Sequence, residues 1–202
     1  LRAADRWRIN LRHSYREDRV FQTAEPPFRR AKRASLLALI GFVGLCVLVY
    51  IANGAVTATS VTGWYRTLAK PPASPPDWVF APVWATLYLS IGVSAWLVWR
   101  RIDIAAHRKR AALRVWGWQL LLNALWPAAF FGMHSPGLGM LVIVPLLATV
   151  ASTVAAFWPL QRGAAVLLAP YLLWIGFATY LNAGFWWLSD LAPMSHHISL
   201  AP

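Results

Sequence analysis

Apolar residues along the chain gather into five long blocks, at about 35–57, 78–99, 113–133, 138–158 and 164–188. Each holds roughly 20–25 residues, enough at about 1.5 Å per residue to cross a hydrocarbon core of about 30 Å. Backbone amides in lipid must be satisfied within their own segment, so the blocks predict helices. The expected fold class is an all-α membrane protein, a bundle of five transmembrane helices. It divides into an extension over 1–34, a membrane domain over 35–188 and a tail over 189–202. Small residues inside the blocks (Gly41, Gly44, Gly92, Ser94, Ala151, Ser152 and Thr153) predict places where helices approach closely. No repeat of 20–50 residues is visible.

Between the first two blocks lies an aromatic, proline-rich run, Trp64 to Trp84. Its prolines, in Lys70-Pro71-Pro72 and Pro75-Pro76, fix φ and remove donors, and each pushes the preceding residue toward extended geometry. The run predicts a stiff extramembrane loop that carries Trp64, Trp78 and Trp84 toward the mouth of the bundle at a low entropy cost. An interfacial belt of Trp residues is the competing reading.

Composition agrees with the blocks. The chain is 58% hydrophobic and 13% charged, about half the charge of a soluble domain. The net charge of +12 invites a nucleic-acid partner until the cations are placed. Ten Lys/Arg lie in the first 34 residues, six between the second and third blocks and one, Arg162, between the fourth and fifth; Arg66 and Lys70 lie on the other side. That asymmetry is a positive-inside signal. It puts the N-terminus in the cytoplasm and the Trp/Pro loop outside, and accounts for the charge with membrane lipid, not nucleic acid, as partner. The first block is too long, and the basic region before it too long, for a signal peptide. Because the chain begins at Leu1, residues upstream are expected.

The candidate chemistry is binding rather than catalysis. Trp84 and Tyr88 share a helix face at i, i+4. Gln119, Asn123 and Trp126 share another, and two amides near mid-membrane must point into the bundle because an unpaired buried amide is costly. They serve either as interhelical glue or as the polar handle of an apolar pocket. Pro127 leaves the carbonyl one turn earlier, near Asn123, without its helical donor. On the last block Tyr171, Trp174, Ala178 and Leu181 share a face, either packed or leaving room for a planar guest. No Asp or Glu lies in the blocks, so paired-carboxylate catalysis and proton coupling are unsupported. Cys46 has no partner cysteine, and none of the five His has a second ligand at i+4, so no metal site is expected.

These residues resemble the translocator protein / tryptophan-rich sensory protein family (TspO/MBR, once called the peripheral benzodiazepine receptor). The resemblance runs from about residue 60 to 188. It rests on Trp64-Tyr65, Lys70-Pro71, Pro75-Pro76, Trp78-Val79, Pro82, Trp84 and Leu87-Tyr88, then Gln119-Leu120, Asn123, Trp126-Pro127 and Phe130-Phe131-Gly132, and last Pro170-Tyr171-Leu172, Trp174, Ala178-Thr179 and Leu181-Asn182. It implies a five-helix bundle, usually a homodimer, that binds porphyrins including haem as ligands rather than as obligate cofactors. It places ligand below the first loop, at Trp64, Trp84, Asn123, Trp126, Trp174, Ala178 and Leu181; Tyr65, Tyr88 and Tyr171 join them by position. Ala183 and Trp187 stand where sterol-recognising relatives carry Tyr and Arg, and Pro72 where some bacterial relatives carry Trp.

The resulting expectation is a tetrapyrrole-binding sensor or regulator, most simply in a bacterial cytoplasmic membrane; relatives also occur in outer and mitochondrial membranes. Two alternatives stand beside it. One is a carrier of porphyrin or of lipid and sterol. The other is light-dependent porphyrin breakdown with Trp84 and Trp174 as electron donors, the one enzymatic reading. A scaffold that uses the basic extension is a further class.

Overall fold

The computed structural model describes residues 27–191; the extension up to residue 26 and the tail from 192 lie outside the described residues. Contacts divide the chain at Ala38/Leu39, and the unit from Leu39 onward carries the fold. Six α-helices and no strands occur among the described residues. They are α1 (Pro27–Thr62), α2 (Trp64–Thr67), α3 (Phe80–Trp99), α4 (Ala106–Pro127), α5 (Pro136–Phe157) and α6 (Arg162–Trp186). A 3₁₀ turn, Asp77–Val79, leads into α3, and π-helical turns, Ala128–Gly132 and Trp187–Leu191, extend α4 and α6.

Four segments are long and apolar enough to cross a membrane: Ala31–Thr62, Asp77–Trp99, Pro136–Phe157 and Arg162–Ser189. The expected third block falls outside this set for a local reason. Helix α4 opens on His107, Arg108, Lys109 and Arg110, and its apolar part contains Gln119 and Asn123. Both amides are buried inside the bundle, so the polarity that lowers its average is hidden from lipid.

Helix α6 is the central post. It packs against α3 and α5, and α4 packs against α5. The core of buried side chains from these helices includes Ile91, Val98, Ile143, Leu146, Val150, Leu168, Tyr171 and Ile175. Close approach falls at particular glycines. A Cβ on Gly92 would lie 2.8 Å from Val43 Cα, which brings α1 against α3. A Cβ on Gly139 would lie 2.5 Å from Asn182 Oδ1 and 2.9 Å from Phe130. Gly41 and Gly44, expected to act in the same way, face open space, and Ala151 and Ser152 are exposed.

The Trp/Pro run is partly helical, contrary to the expected loop. Trp64–Thr67 forms a helical turn, capped by Leu68 in extended geometry before the prolines begin. Pro71 to Ser74 make a turn, with Ser74 N–H donating to Pro71 O at 3.3 Å and Ala73 at φ 63°, the pattern of a type II turn with proline at its second position. The turn is pinned to α6. Pro71 is buried against Gly184, where a Cβ would come within 2.6 Å, and Tyr180 Oη donates to Pro72 O at 3.1 Å.

Candidate functional site

Beneath this turn lies a cavity of about 380 Å³. Its walls come from α1 (Tyr50, Asn53, Thr57), α3 (Phe80, Trp84, Tyr88), the end of α4 and its π turn (Trp126, Phe130, Phe131) and α6 (Ala178, Leu181, Asn182, Phe185). Tyr65 and Asp77 close the upper side. Nine of the lining residues are aromatic. Small Ala178 is the place where α6 recedes from the void, since any larger side chain there would extend into it.

Of the expected residues, Tyr65, Trp84, Tyr88, Trp126, Ala178 and Leu181 line the cavity; Trp64, Asn123, Tyr171 and Trp174 do not. Trp84 and Tyr88, one turn apart on α3, hold their rings 5.6 Å between centroids. Trp64 packs outside the void against Phe130 and His134, with centroids 5.7 and 4.9 Å away. Trp78 points outward and is 74% exposed, so the loop carries one tryptophan, Trp84, into the wall rather than three. Trp174 packs on Phe80 and Phe177, and its indole N–H is buried without a partner among the described residues.

Asn123 and Tyr171 act one layer deeper. Tyr88 Oη donates to Asn123 Oδ1 in a short contact. Asn123 Nδ2 donates to Tyr171 Oη at 2.7 Å, and Tyr171 Oη donates to Gln119 Oε1 at 2.9 Å. From α1, Asn53 Nδ2 reaches Tyr88 Oη at 2.8 Å and Asn123 O at 3.2 Å. That carbonyl is the one Pro127 leaves without a helical donor, and the amide of another helix takes it. The chain of bonds couples four helices, and pairing within it removes most of the cost of burying these groups. One donor is left over, Gln119 Nε2, buried without a partner among the described residues. A second tie fixes the side wall: Trp126 Nε1 donates to Asn182 Oδ1 at 2.9 Å, and Asn182 Nδ2 donates to Pro136 O at 2.7 Å.

The contributions of Asn53, Tyr50, Phe130, Phe131 and Phe185 were not anticipated, whereas Asn182 adjoins the face that carries Ala178 and Leu181. Asn53 had a readable signal, a solitary amide within an apolar block with Tyr50 at i−3 and Thr57 at i+4. The phenylalanines had none, because a lipid-facing and a cavity-facing Phe look the same in sequence.

Electrostatically the cavity is close to neutral. Asp77 pairs with Lys70 at 3.1 Å, and the Lys70 ammonium sits 5.2 Å above the Tyr65 ring. Burial, and then the Asp77 carboxylate, push the Tyr65 phenol up to about 12, so it stays a neutral donor. The lining holds no His, Cys or Met, and no group of three or more metal-ligating side chains occurs among the described residues. Such a site offers aromatic faces, a few amide and hydroxyl handles, and no nucleophile with an adjacent base.

The TspO/MBR family model matches residues 42–188, which takes in most of α1 as well as the part that carries the sequence resemblance. The chain is 37% identical over 151 residues to the tryptophan-rich protein TspO of Chlorobaculum tepidum, covering 73% of this chain and 92% of that protein. It is 36% identical over 147 residues to the translocator protein of Bos taurus, covering 73% and 87%. It is 35% identical over 141 residues to the protein CrtK of Rhodobacter capsulatus, covering 68% and 84%. With four helices long and apolar enough to cross a membrane and a family match over most of its length, the chain belongs to the TspO/MBR family of multi-pass membrane proteins.

Proposed function

We propose that the cavity binds a tetrapyrrole and that the protein acts as a membrane sensor or handler of porphyrins. The observation that carries this reading is the wall itself, nine aromatic side chains around a near-neutral void of about 380 Å³. That volume is within the range of small-molecule sites, and aromatic pairs add about 0.5–1.5 kcal/mol each beyond the area they bury. The names of the relatives, translocator and tryptophan-rich sensory protein, support a sensing or transport role of this general kind. Trp84 and Trp126 supply indole faces, and Asn53 and Asn182 supply hydrogen bonds to ring substituents. The Asn123–Tyr171–Gln119 layer positions Tyr88 without touching ligand. Lys70 is committed to Asp77, so Arg66 is the better partner for a propionate at the mouth. The lining holds no His, Cys or Met to ligate iron, and the Tyr88 hydroxyl is engaged by Asn53 and Asn123, so binding rests on the macrocycle more than on the metal.

Helix α4 belongs to this reading as a fifth span, its amides turned inward and its basic start at the membrane surface. The asymmetry of cations favours a cytoplasmic N-terminus.

The test is a titration of purified protein with protoporphyrin IX, read by Trp quenching. Trp84→Ala should weaken binding by about tenfold, the scale of losing roughly 1.4 kcal/mol of ring contact. Trp174→Ala, which packs behind the wall, should cost less, and haem should bind about as well as the iron-free ring. Unaltered affinity in Trp84→Ala, or a preference for haem that requires iron, would remove the reading.

A further inference from the structure

At the end of the bundle opposite the cavity, the cations of α4 and of the loop before it include two groups. One group folds inward. Lys109 Nζ donates to Arg101 O at 2.7 Å and Trp99 O at 3.2 Å, closing the C-terminus of α3. Arg101 reaches Asp103 at 2.7 Å and Leu160 O at 2.9 Å, which ties two loops together. The other group faces out. His107, Arg110 and Arg114 fall at i, i+3 and i+7, hence on one face of α4. They are exposed, line a shallow surface groove with Leu113, and make no ion pair or hydrogen bond among the described residues.

The same face continues toward the bilayer interior with Trp118, 61% exposed, then Leu121 and Leu125, 46% and 48% exposed. It therefore reads in order as cations, an indole, then aliphatic side chains. At about 1.5 Å per residue, Arg114 to Leu125 spans about 16 Å, the hydrocarbon depth of one leaflet.

We propose that this face of α4 is a binding site for one anionic phospholipid, its phosphate among His107, Arg110 and Arg114 and an acyl chain along Trp118, Leu121 and Leu125. The charge sequence fits no other occupant as well. A zwitterionic headgroup brings its own cation to the groove. A second copy of the chain related by an axis along the membrane normal would set this cation column against its twin, and like charges directly opposed at an interface are repulsive. An anionic lipid neutralises the column with charge-assisted bonds, bidentate from each arginine, and covers the exposed indole and leucines with its tail.

The experiment reconstitutes the full chain sparsely in phosphatidylcholine bilayers containing a few mole per cent of acyl-brominated phosphatidylglycerol or acyl-brominated phosphatidylcholine, and reads Trp emission. The anionic lipid should quench several-fold more per mole than the zwitterionic one. Trp118→Phe should remove that excess. Arg110→Gln combined with Arg114→Gln should remove it too, whereas Arg110→Lys with Arg114→Lys should keep most of it and guards against a folding artefact. Equal quenching by the two lipids, or an excess that survives the glutamine pair, overturns the site. Displacement of the brominated lipid by millimolar inorganic phosphate at constant ionic strength also overturns it, since the groove would then be a phosphate site. So does quenching by both lipids that falls as protein density rises, because a second copy would then be covering the face.

Discussion

Helix α6 buries nine residues along its length, from Ala164 to Phe185. From Leu39 to Thr62, α1 buries two, Cys46 and Ser60, yet both helices line the cavity. Helix α6 is held by continuous interdigitation with α3 and α5. Helix α1 is held at separate points. They include the close approach at Gly92, the Phe42–Trp116 ring contact at 5.5 Å, Tyr50 on Ala81 O and the Tyr88 ring, Asn53 on Tyr88 and the Asn123 carbonyl, and Ser60 Oγ on Phe131 O at 2.8 Å. Between those points the wall stands off and the void exists. The cavity is thus the space beside a pinned helix, not a defect in a packed core.

Substitutions on the two sides separate these modes of attachment. The largest effect is expected at Gly139→Ala in the tightly packed half. Its methyl meets Asn182 Oδ1 and Phe130 and would disturb the Trp126–Asn182 bond as well. Overpacking of this kind costs roughly 1–3 kcal/mol, and the thermal midpoint in detergent should fall accordingly; a wild-type midpoint would mean that α5 and α6 are not packed as described. Next comes Asn53→Ala, which removes one pin of α1 and leaves α6 untouched. Cys46 is buried on α1, so the rate at which a maleimide labels it reports the opening of this helix. Loss of a hydrogen bond of about 1 kcal/mol should raise that rate about fivefold with little change in the midpoint. Equal changes in both readouts would make α1 part of the same cooperative core. The smallest effect is expected at Gly44→Ala, one position from the Val43 contact but facing open space. Its stability should stay within about 0.5 kcal/mol, and a large loss in melting or a jump in Cys46 labelling would show that α1 packs on that side too.

Much of this was legible beforehand. The blocks at 78–99, 138–158 and 164–188 match α3, α5 and α6 within a few residues, because lipid solvation leaves a backbone no alternative to a helix. The inward turn of Gln119 and Asn123 was legible for the same reason, since an amide has nowhere else to go. Less legible were the order of the Trp residues and the reach of α1. Trp64, Trp78 and Trp84 are alike in sequence, and only the turn pinned by Pro71 on Gly184 sends one outward and one into the wall. Gly41, Gly44 and Gly92 likewise look equivalent until one of them meets another backbone.

The sequence by itself determined that this chain is helical, membrane-embedded and related to the TspO/MBR proteins, because apolar block length and the chemistry of amides in lipid are properties of the chain alone. The tertiary structure decided which aromatic faces the void, which amide receives the carbonyl left by Pro127 and which cations remain outward. Those outcomes depend on the distance between helices far apart in sequence, and a gap of a few ångströms between α1 and its neighbours separates a cavity from a solid core.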